Sequence, residues 1–594
     1  MSLHFSGTRE ELKEKLEKLE GDWDDNQPNK AVLRLENGVM NWFETTGTIN
    51  FQGRGPGKEK LEMKVPKLLY PSEDVRIPQK DILYKDSGAT SKPYSETKNL
   101  TIEQQYLTKG INQGELIIGI VSAMGAESKQ VIDTLTNRLE GFDYEVHEVR
   151  VSSCLPKIEY KNEYERINRY ISEGDNLRKT SGSNAILAAG VAKQISKCRT
   201  EDNKKLAYII NSLKHPDEVD YLRKIYGNGF YVIGIHADEK RRRKYLTEDK
   251  RMTQEQAKEL IKIDENEGLD YGQKTRDTYH LADFFLNLGS NTDHVKNRIQ
   301  RFLELIFSHP YKNPTFDEFA MFIAFNCSVH SSDLSRQVGA VIARNKQIIA
   351  TGANDVPKSG GGLYWAKINK VTGEIEDTPD GKDYTREVDS NKQTQSEIIT
   401  EIIKTILASS LVDKSKEPEL KKILKESTIS DLTEFGRVVH AEMDALLSCG
   451  RAGIPTVGTT LYCTTFPCHN CAKHIIASGV KRVVYVEPYP KSRALDFHSE
   501  SIKLKTELDS TADNDDGLVI FEPFTGVGPR RFLDLFSMSL GSGEKLRRKD
   551  KSGKTVDWEQ QSAPIRTPLI PTSYKKIEQA AIKAWDQCAA EHFE

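Results

Sequence analysis

Three uninterrupted apolar runs mark the first large part of the chain. They read L-I-I-G-I-V from Leu116, L-A-Y-I-I-N from Leu206 and F-Y-V-I-G-I from Phe230. Short runs of this kind are typical of strands that are buried on both faces of a parallel sheet. A helically spaced stretch, V-I-D-T-L-T-N-R-L, follows the first run. The pattern predicts an α/β domain with a doubly wound parallel sheet over residues 114–300.

The first 65 residues have a different pattern. Thr8 opens a capping box before a helical run, and two alternating, strand-like stretches follow. We expect a small N-terminal α+β unit over residues 1–65 and an irregular linker over 66–113. The aromatic and glycine spacing resembles a small module found at the front of some ribonucleases H, which would imply nucleic-acid or partner recognition. The alternative is an accessory domain with an ordinary aromatic core at Trp42 and Phe43.

Residues 301–540 alternate between helix and strand signals. A helix is predicted at F-D-E-F-A-M-F-I-A-F, a hairpin at V-G-A-V-I-A and Q-I-I-A-T-G, and further strands at T-T-L-Y-C, R-V-V-Y-V and L-V-I-F-E. Residues 355–435 are too long for a simple loop and predict a lid, a regulatory insertion or an assembly surface. The tail, 541–594, is polar and is predicted to end in a short amphipathic helix.

Composition narrows the function classes. The chain has 594 residues and a net charge of −3, so its overall charge gives no case for wrapping nucleic acid. Its mean hydropathy is −0.58, and no run is long and apolar enough to predict a membrane span or a signal peptide. Eight cysteines in this length are typical of a reducing, cytoplasmic location.

The candidate chemistry lies between His440 and Cys471. His440-Ala-Glu442 and the later P-C-H-N-C form the H-x-E…P-C-x-x-C signature of zinc nucleobase deaminases. His440, Cys468 and Cys471 supply three zinc ligands, which leaves one position for water, as a catalytic site requires. Glu442 need not bind the metal, so it can carry a proton from the attacking water to the ring nitrogen and then to the departing ammonia.

Two alternatives use the same residues. A closed zinc knuckle would need a fourth ligand, for which His469 and Cys463 are nearby candidates. A redox C-x-x-C pair would not need the upstream His440 and Glu442. Because both upstream residues are present, the signature favours the catalytic site.

The loop after the first apolar run lies where a phosphate-binding loop would lie, between a strand and a helix. Ser128 stands at the position of the usual lysine, Glu127 replaces a glycine, and Lys129 comes one residue late. Asn211 ends the next strand, where an acidic magnesium ligand is usual. The domain is therefore expected to resemble a nucleotide kinase without catalysing phosphoryl transfer. The candidate regulatory nucleotide-binding residues are Gly119, Ser122, Gly125, Ser128, Arg241, Arg242 and Arg243.

The sequence leaves two questions open. First, Arg241, Arg242 and Arg243 could form a lid over a bound phosphate, or they could be an ordinary solvated face of a helix. Second, the domain could regulate the enzyme, or it could serve only as a scaffold for an oligomer.

Residues 302–540 resemble the deoxycytidylate deaminase family, through R-Q-V-G-A-V-I, A-T-G-A-N, H-A-E and P-C-H-N-C-A-K-H-I-I-A-S-G. The resemblance implies a three-layer α/β/α domain with a mixed five-stranded sheet and a bound Zn²⁺. It also implies that Asn354 contacts the sugar, that Arg336 lies near the phosphate, and that Ala441 and Pro467 contact substrate. The family pattern T-G-Y-N-G is T-G-A-N-D here, which leaves contacts beyond Asn354 open.

The fuller arrangement resembles the bacterial anti-phage dCTP deaminases, which join a degenerate kinase-like domain to a deaminase. The segments I-I-N-S-L-K-H-P, D-T-Y-H-L-A-D-F-F and G-V-G-P-R-R-F carry this second resemblance. It implies dCTP or dCMP as substrate, feedback by dTTP, a regulatory RNA or phage-derived trigger, and a homo-oligomer.

Three other functions compete with this interpretation. A housekeeping dCMP deaminase would use the same residues. A polynucleotide cytidine or adenine deaminase would need a basic, aromatic binding stripe, and none is evident in the sequence. A nucleotide sensor would not need the complete set of metal and proton-transfer residues.

Overall fold

The structure is a computed structural model. It describes residues 3–5, 7–24, 29–44, 47–53, 56–69, 114–199, 205–265, 270–289, 291–409, 412–432, 434–488, 492–505, 517–541, 545–550, 552–569 and 571–593. The chain forms two compact units, Met1–Asn99 and Leu100–Glu594. Within the described part, no helix has the length and apolar character that crossing a membrane requires.

The N-terminal unit is one antiparallel sheet with two helices. Its elements are β1 Leu3–His4, α1 Arg9–Lys15, β2 Asp22–Asp24, β3 Lys30–Leu35, β4 Gly38–Phe43, β5 Thr48–Gly53 and α2 Pro56–Leu69, and the strand order is β1-β5-β4-β3-β2. The predicted capping box at Thr8 is confirmed. Trp42 is buried and donates its indole N–H to the carbonyl oxygen of Phe5 at 3.0 Å.

Helix α2 corrects one predicted boundary. It continues to Leu69, because Leu61, Val65 and Leu69 follow helical spacing and are buried in this unit's core. Residues 66–69 therefore belong to the N-terminal unit, although the sequence places them in the linker. The rest of the predicted linker, 70–113, lies outside the described residues.

The second unit begins with five parallel strands. They are β6 Leu116–Ser122, β7 Glu145–Arg150, β8 Leu206–Asn211, β9 Phe230–His236 and β10 Phe284–Asn287, in the order β10-β9-β6-β8-β7. The helices along this part are α3 Ser128–Glu140, α4 Glu163–Ser181, α5 Ile186–Cys198, α6 Pro216–Tyr226, α7 Glu239–Lys244, α8 Gln254–Glu265, α9 Thr275–Tyr279 and α10 Thr292–Ile306.

Both faces of this sheet are covered, as the apolar runs predict. Along β6, Ile117 and Val121 pack into the cluster that contains α5 and α6. The alternate residues Ile118 and Ile120 pack with α3 and α10. Alternation of this kind is what a doubly wound sheet requires. A kinase-like character of this sheet stays a prediction.

A second, mixed sheet carries the residues that the sequence singled out. Its elements are α11 Phe316–Ser328, β11 Gly339–Arg344, β12 Gln347–Ala353, α14 Ala441–Arg451, β15 Thr460–Thr465, α15 His469–Ala477, β16 Arg482–Glu487, α16 Ala494–Phe497, β17 Ile502–Leu504 and β18 Val519–Pro523. Helix α11 packs on one face, and α14 and α15 pack on the other. The layers are therefore helix, sheet and helix.

This sheet has six strands, ordered β12-β11-β15-β16-β18-β17, so the expected five-stranded sheet is wrong by one edge strand. Strand β17 is only three residues long and runs parallel to β18. Of its residues, Ile502 alone is buried. One buried position in three residues gives no readable alternation, which explains why the sequence does not predict it.

The insertion 355–435 and the tail are built of short elements and longer helices. The insertion contributes β13 Lys367–Ile368, β14 Ile375–Glu376, α12 Ser390–Ala408 and α13 Glu417–Lys425, and the tail contributes α18 Pro571–Phe593. Between β18 and the tail lie β19 Gly526–Val527 and α17 Phe532–Phe536. Strand β19 pairs antiparallel with β10, so the predicted parallel sheet gains one antiparallel edge strand. Helix α18 has 23 residues, so the prediction of a short C-terminal helix is wrong. It packs on α5, where a Cβ on Gly190 would lie 2.7 Å from the Trp585 ring.

Candidate active site

Helix α14 begins directly beside the end of strand β12. Gly352 permits this approach, because a Cβ at that position would lie 2.2 Å from the carbonyl oxygen of Ala441. Val439 donates its N–H to the carbonyl oxygen of Asp355 at 3.0 Å. These contacts fix His440 as the N-cap residue of α14, at the carboxyl end of a neighbouring strand.

The two cysteines are held by the start of helix α15. Cys468 is its N-cap residue, and the Cys468 Sγ accepts the backbone N–H of Cys471 at 3.4 Å. The strand β15 leads into this turn and ends at Thr465. Both groups of predicted ligands therefore lie at helix N-termini, where the helix dipole favours thiolate.

The three predicted ligands form one compact group. Their ligand atoms all lie within 4.8 Å of one another. The His440 Nδ1 is 3.4 Å from the Cys468 Sγ and 3.3 Å from the Cys471 Sγ. Tetrahedral zinc with ordinary bond lengths separates a sulfur and a nitrogen ligand by about 3.5 Å. The donor set and its spacing therefore fit a zinc ion without rearrangement.

The charges within the group are strongly coupled. A hydrogen bond with Cys468 raises the pKa of His440 to about 9. A hydrogen bond from the Cys471 thiol, together with His440, lowers the pKa of Cys468 to about 4. The same hydrogen bond and burial raise the pKa of Cys471 well above its usual range. The imidazolium of His440 and the thiol of Cys471 must therefore each lose a proton before all three side chains can bind zinc.

Glu442 lies in the first turn of α14, beside this group, and is 4% exposed. Burial raises the pKa of its carboxyl, while His440 lowers it. The nearby Cys463 is completely buried, and burial followed by the charge of Glu442 raises the pKa of its thiol well above the usual range. A carboxyl with a raised pKa is suited to accept and release a proton near neutral pH.

Neither alternative to a catalytic site gains support. Among the described residues, the candidate metal group contains His440, Cys468 and Cys471, without Cys463 or His469. The His469 ring instead makes an edge contact with Phe497. Cys468 and Cys471 are free cysteines. A three-ligand group with a buried carboxyl beside it has the composition of a catalytic zinc site.

The sequence comparison agrees with this geometry. A family profile described as the "Cytidine and deoxycytidylate deaminase zinc-binding region" matches residues 314–487. The deoxycytidylate deaminase of Enterobacteria phage T4 is 30% identical over 180 residues, which are 29% of this chain and 77% of the phage protein. The chain belongs to the cytidine and deoxycytidylate deaminase family. Zinc is accordingly the metal that fits the His/Cys/Cys group of this deaminase.

Two further similarities cover smaller or larger parts of this chain. ComE operon protein 2 of Bacillus subtilis (strain 168) is 49% identical over 53 residues, so the match spans 9% of this deaminase and only 28% of that relative. The structure of the dCMP deaminase from cyanophage S-TIM5 in apo form has 18% identity and a TM-score of 0.19, and the match covers 36% of this chain and 99% of that one.

Asn354 lies in the deaminase beside the metal ligands, but its side chain is already engaged. Its Oδ1 accepts the N–H of Val338 at 2.6 Å, and its Nδ2 donates to the carbonyl oxygen of Arg336 at 2.9 Å. Asn354 is buried, and Arg336 is exposed. Asn354 therefore holds the loop that carries Arg336, and its expected contact with a sugar stays a prediction.

The other two candidate substrate contacts of the deaminase flank the metal ligands. Ala441 is fully buried beneath the first turn of α14. Pro467 is also buried, and its carbonyl oxygen accepts the Ser492 hydroxyl at 2.8 Å. Both positions are next to a ligand in the chain, so they shape the edge of the site. Their contact with a substrate stays a prediction.

Asp355 and Lys382 are buried, paired residues that the sequence analysis did not single out. The Asp355 carboxylate accepts the N–H and hydroxyl of Ser332, at 3.2 and 3.0 Å, and pairs with the Lys382 Nζ at 3.4 Å. Arg437 similarly donates to Asp383 at 2.9 Å. These buried pairs attach the insertion to the edge of the deaminase site. The only sign of Asp355 in the sequence was that the segment T-G-A-N-D ends in aspartate, where the family pattern T-G-Y-N-G ends in glycine.

The phosphate-loop-like turn of the deaminase is occupied by the protein itself. The backbone N–H of Met124 donates to the Asp264 Oδ2 at 2.7 Å. The Lys214 Nζ bridges the Ser122 carbonyl oxygen and the Asp264 Oδ1, at 2.7 and 2.6 Å. Gly125 has φ +84°, and a Cβ there would lie 2.8 Å from a backbone oxygen of residue 242. An internal carboxylate thus takes a donor that an anionic ligand would need.

The remaining candidate regulatory residues are also built into the protein. Gly119 is inside β6, where a Cβ would lie 2.7 Å from the Leu213 side chain, and Ser128 begins α3. Arg241 pairs with Glu127 at 2.8 Å, and the buried Arg242 pairs with Glu265 at 3.0 Å. The half-buried Arg243 pairs with Glu239. The prediction of a solvated helix face is therefore wrong for Arg242, which is buried. The regulatory role itself stays a prediction.

Proposed function

We propose that this chain catalyses the hydrolytic deamination of deoxycytidine nucleotides to deoxyuridine nucleotides, with release of ammonia. The observation that carries the proposal is the buried carboxyl of Glu442 beside the His440, Cys468 and Cys471 group. Bound zinc lowers the pKa of a coordinated water towards 7, which supplies a nucleophile at neutral pH. The residues of the chain perform the other parts of the reaction.

Glu442 is the proposed proton carrier. It accepts a proton from the attacking water and delivers it to the ring nitrogen N3. It then carries the proton of the newly added hydroxyl group to the amino group, so that ammonia leaves as the C4 carbonyl forms. Burial raises the pKa of this carboxyl, which brings its proton affinity closer to neutrality. Pro467 and Ala441 border the pocket, and Asn354 holds the loop of Arg336 beside it. We assign Arg336 to the 5′-phosphate of the nucleotide.

The proposed substrates are dCTP and dCMP, and the proposed role is depletion of dCTP in anti-phage defence. The family membership supports a nucleotide deaminase, and the second α/β sheet supports more than a minimal dCMP deaminase. Feedback by dTTP, a regulatory RNA or phage-derived trigger, and a homo-oligomer belong to the same proposal. A housekeeping dCMP deaminase is the second candidate, because the relatives that match are named for deoxycytidylate.

The deciding experiment offers purified protein several cytosine substrates. It measures uracil products from dCTP, dCMP, deoxycytidine, cytidine, single-stranded DNA and RNA, with Glu442→Gln as the inactive control. We expect conversion of the free deoxynucleotides alone. Turnover of DNA or RNA would favour a polynucleotide editor, and binding of dCTP without turnover in any condition would favour a sensor.

The defence role needs a separate test in cells. Cells expressing wild-type protein or Glu442→Gln are infected, and plaque numbers and dCTP pools are measured. We expect the wild type alone to lower both. Equal plaque numbers with normal dCMP deamination in vitro would favour the housekeeping function.

A further inference from the structure

Arg530 is exposed and makes no hydrogen bond or ion pair with a described residue. The carboxylates of Asp283 and Asp220 lie within its electrostatic range without pairing with it. Its neighbours Arg223 and Arg531 both pair with Asp283, at 3.0 and 3.3 Å. The Asp283 carboxylate therefore already has two ion-pair partners. Burial and then the positive charge of Arg223 lower the pKa of Arg530, although the side chain reaches solvent. An unpaired guanidinium of this kind favours a bound anion.

The backbone brings Arg530 to the edge of the sheet that carries the metal site. The parallel strands β15, β16 and β18 all end at this edge, and β15 leads on to Cys468. After β18, the chain pairs through Val527 with Phe284, the first residue of β10. Arg530 follows three residues later. The amino edge of the parallel sheet thus faces the carboxyl edge of the mixed sheet.

His280 lies at the same junction. It follows helix α9, which packs against β16, and β16 ends at Glu487. The His280 Nδ1 is buried and has no hydrogen-bond partner among the described residues. The imidazole is within electrostatic range of Arg530 and Arg336, and of the carboxylates Glu487 and Asp277. Glu487 is not free, because it accepts the Thr465 hydroxyl at 3.0 Å.

We propose that Arg530 and His280 form a subsite for the β- and γ-phosphate groups of a deoxycytidine triphosphate, next to Arg336 at the α-phosphate. This inference rests on the proposed function and deepens it. Arg530 supplies a planar pair of donors that suits phosphate oxygens, and His280 supplies a further N–H. Both residues lie outside the matched profile, residues 314–487. The junction between the parallel sheet, which contributes His280, and the segment after β18, which contributes Arg530, would therefore determine preference for the triphosphate.

The test compares substrates that differ only in the number of phosphates. The values of kcat and KM are measured for dCMP, dCDP and dCTP with wild type, Arg530→Gln, His280→Gln and Arg336→Gln. For Arg530→Gln we expect the KM for dCTP to rise by about tenfold to a hundredfold, the value of a lost charged hydrogen bond, with dCMP changed less than about twofold. Arg336→Gln should weaken all three substrates.

Arg169→Gln is the matched control, because Arg169 is an exposed arginine whose pair with Glu165 lies within helix α4. Zinc content and melting temperature verify that each variant is folded. If Arg530→Gln does not fold, Arg530→Lys and inhibition of wild-type dCMP turnover by inorganic tripolyphosphate replace it. Equal effects of Arg530→Gln on dCMP and dCTP would overturn the subsite, as would a wild type without preference for dCTP.

The subsite and the proposed function can fail separately. If wild-type protein deaminates none of the nucleotides, calorimetry with tripolyphosphate still tests the subsite. Binding that Arg530→Gln weakens by about tenfold or more supports it, and equal binding by both proteins overturns it.

Discussion

The Asp264 carboxylate accepts the backbone N–H of Met124 at 2.7 Å, inside the loop that the sequence predicts as an anion cradle. Asp264 is fully buried, and it also accepts the Lys214 ammonium and the Thr275 hydroxyl, at 2.6 and 3.1 Å. The loop is therefore closed by an internal ion pair. A nucleotide phosphate could bind Met124 only after displacing Asp264.

We predict that Asp264→Ala destabilises the protein by about 3 kcal/mol, because it leaves the Lys214 ammonium, whose side chain is only 11% exposed, without its counter-charge. Denaturant unfolding would measure this change. Asp133→Ala is the control, since the Asp133–Lys129 pair is exposed and its loss should cost less than about 1 kcal/mol. The double variant Asp264→Ala, Lys214→Met should recover part of the loss. Equal effects of Asp264→Ala and Asp133→Ala would contradict a closed loop.

The hydrogen bond between Met124 and Asp264 is a contact that the sequence alone does not predict. The strand, turn and helix around residues 116–140 follow from local apolar spacing, and the structure has them. Asp264 comes from a helix 140 residues further along the chain. No local pattern states which distant carboxylate meets Met124, so the sequence reading leaves the loop open to a ligand. Arg242 is similar, because burial beside Glu265 depends on how α7 and α8 pack.

The metal group, in contrast, could be predicted from the sequence. His440 and Glu442 lie two residues apart at one helix start, and Cys468 and Cys471 lie in one turn at another, so local chain geometry fixes each half. The hairpin and parallel strands that bring the halves together also have readable patterns. Arg530 and His280 could not be found in this way, because their meeting depends on the packing of two sheets.

Glu442→Gln should retain zinc and fold but lose turnover. The substitution keeps the shape of the side chain and removes its capacity to carry a proton, which typically contributes about a hundredfold to ten-thousandfold to the rate. Deamination assays and elemental analysis measure the two properties. Glu500→Gln, at an exposed position, is the control. Turnover above a few per cent of wild type would contradict the assigned role.

Cys463→Ala and Cys468→Ala separate a neighbour of the site from a ligand. Cys468→Ala should lose zinc and lower the melting temperature, because metal binding is coupled to folding. Cys463→Ala should retain one zinc per chain, since Cys463 lies outside the three-ligand group. Elemental analysis and thermal unfolding give both values. Loss of zinc from Cys463→Ala would instead indicate a closed, four-ligand site.

Zinc binding should release about two protons per ion between about pH 5 and 6, a range in which unperturbed His and Cys side chains would release nearly three. The difference arises because the pKa of Cys468 is lowered to about 4, so this ligand is already a thiolate. His440, with its pKa raised to about 9, and Cys471, with its pKa raised further, each still hold a proton that the metal must displace.

The affinity for zinc should rise with pH, because binding releases protons. Two released protons correspond to about a hundredfold tighter binding per pH unit. Chelator competition at several pH values measures this slope, and calorimetry in buffers of different ionisation enthalpy counts the protons independently. The control is Cys327→Ala, which removes a cysteine outside the metal group and should leave the slope unchanged. A slope close to three would mean that the Cys468 thiol keeps its ordinary pKa in the metal-free protein.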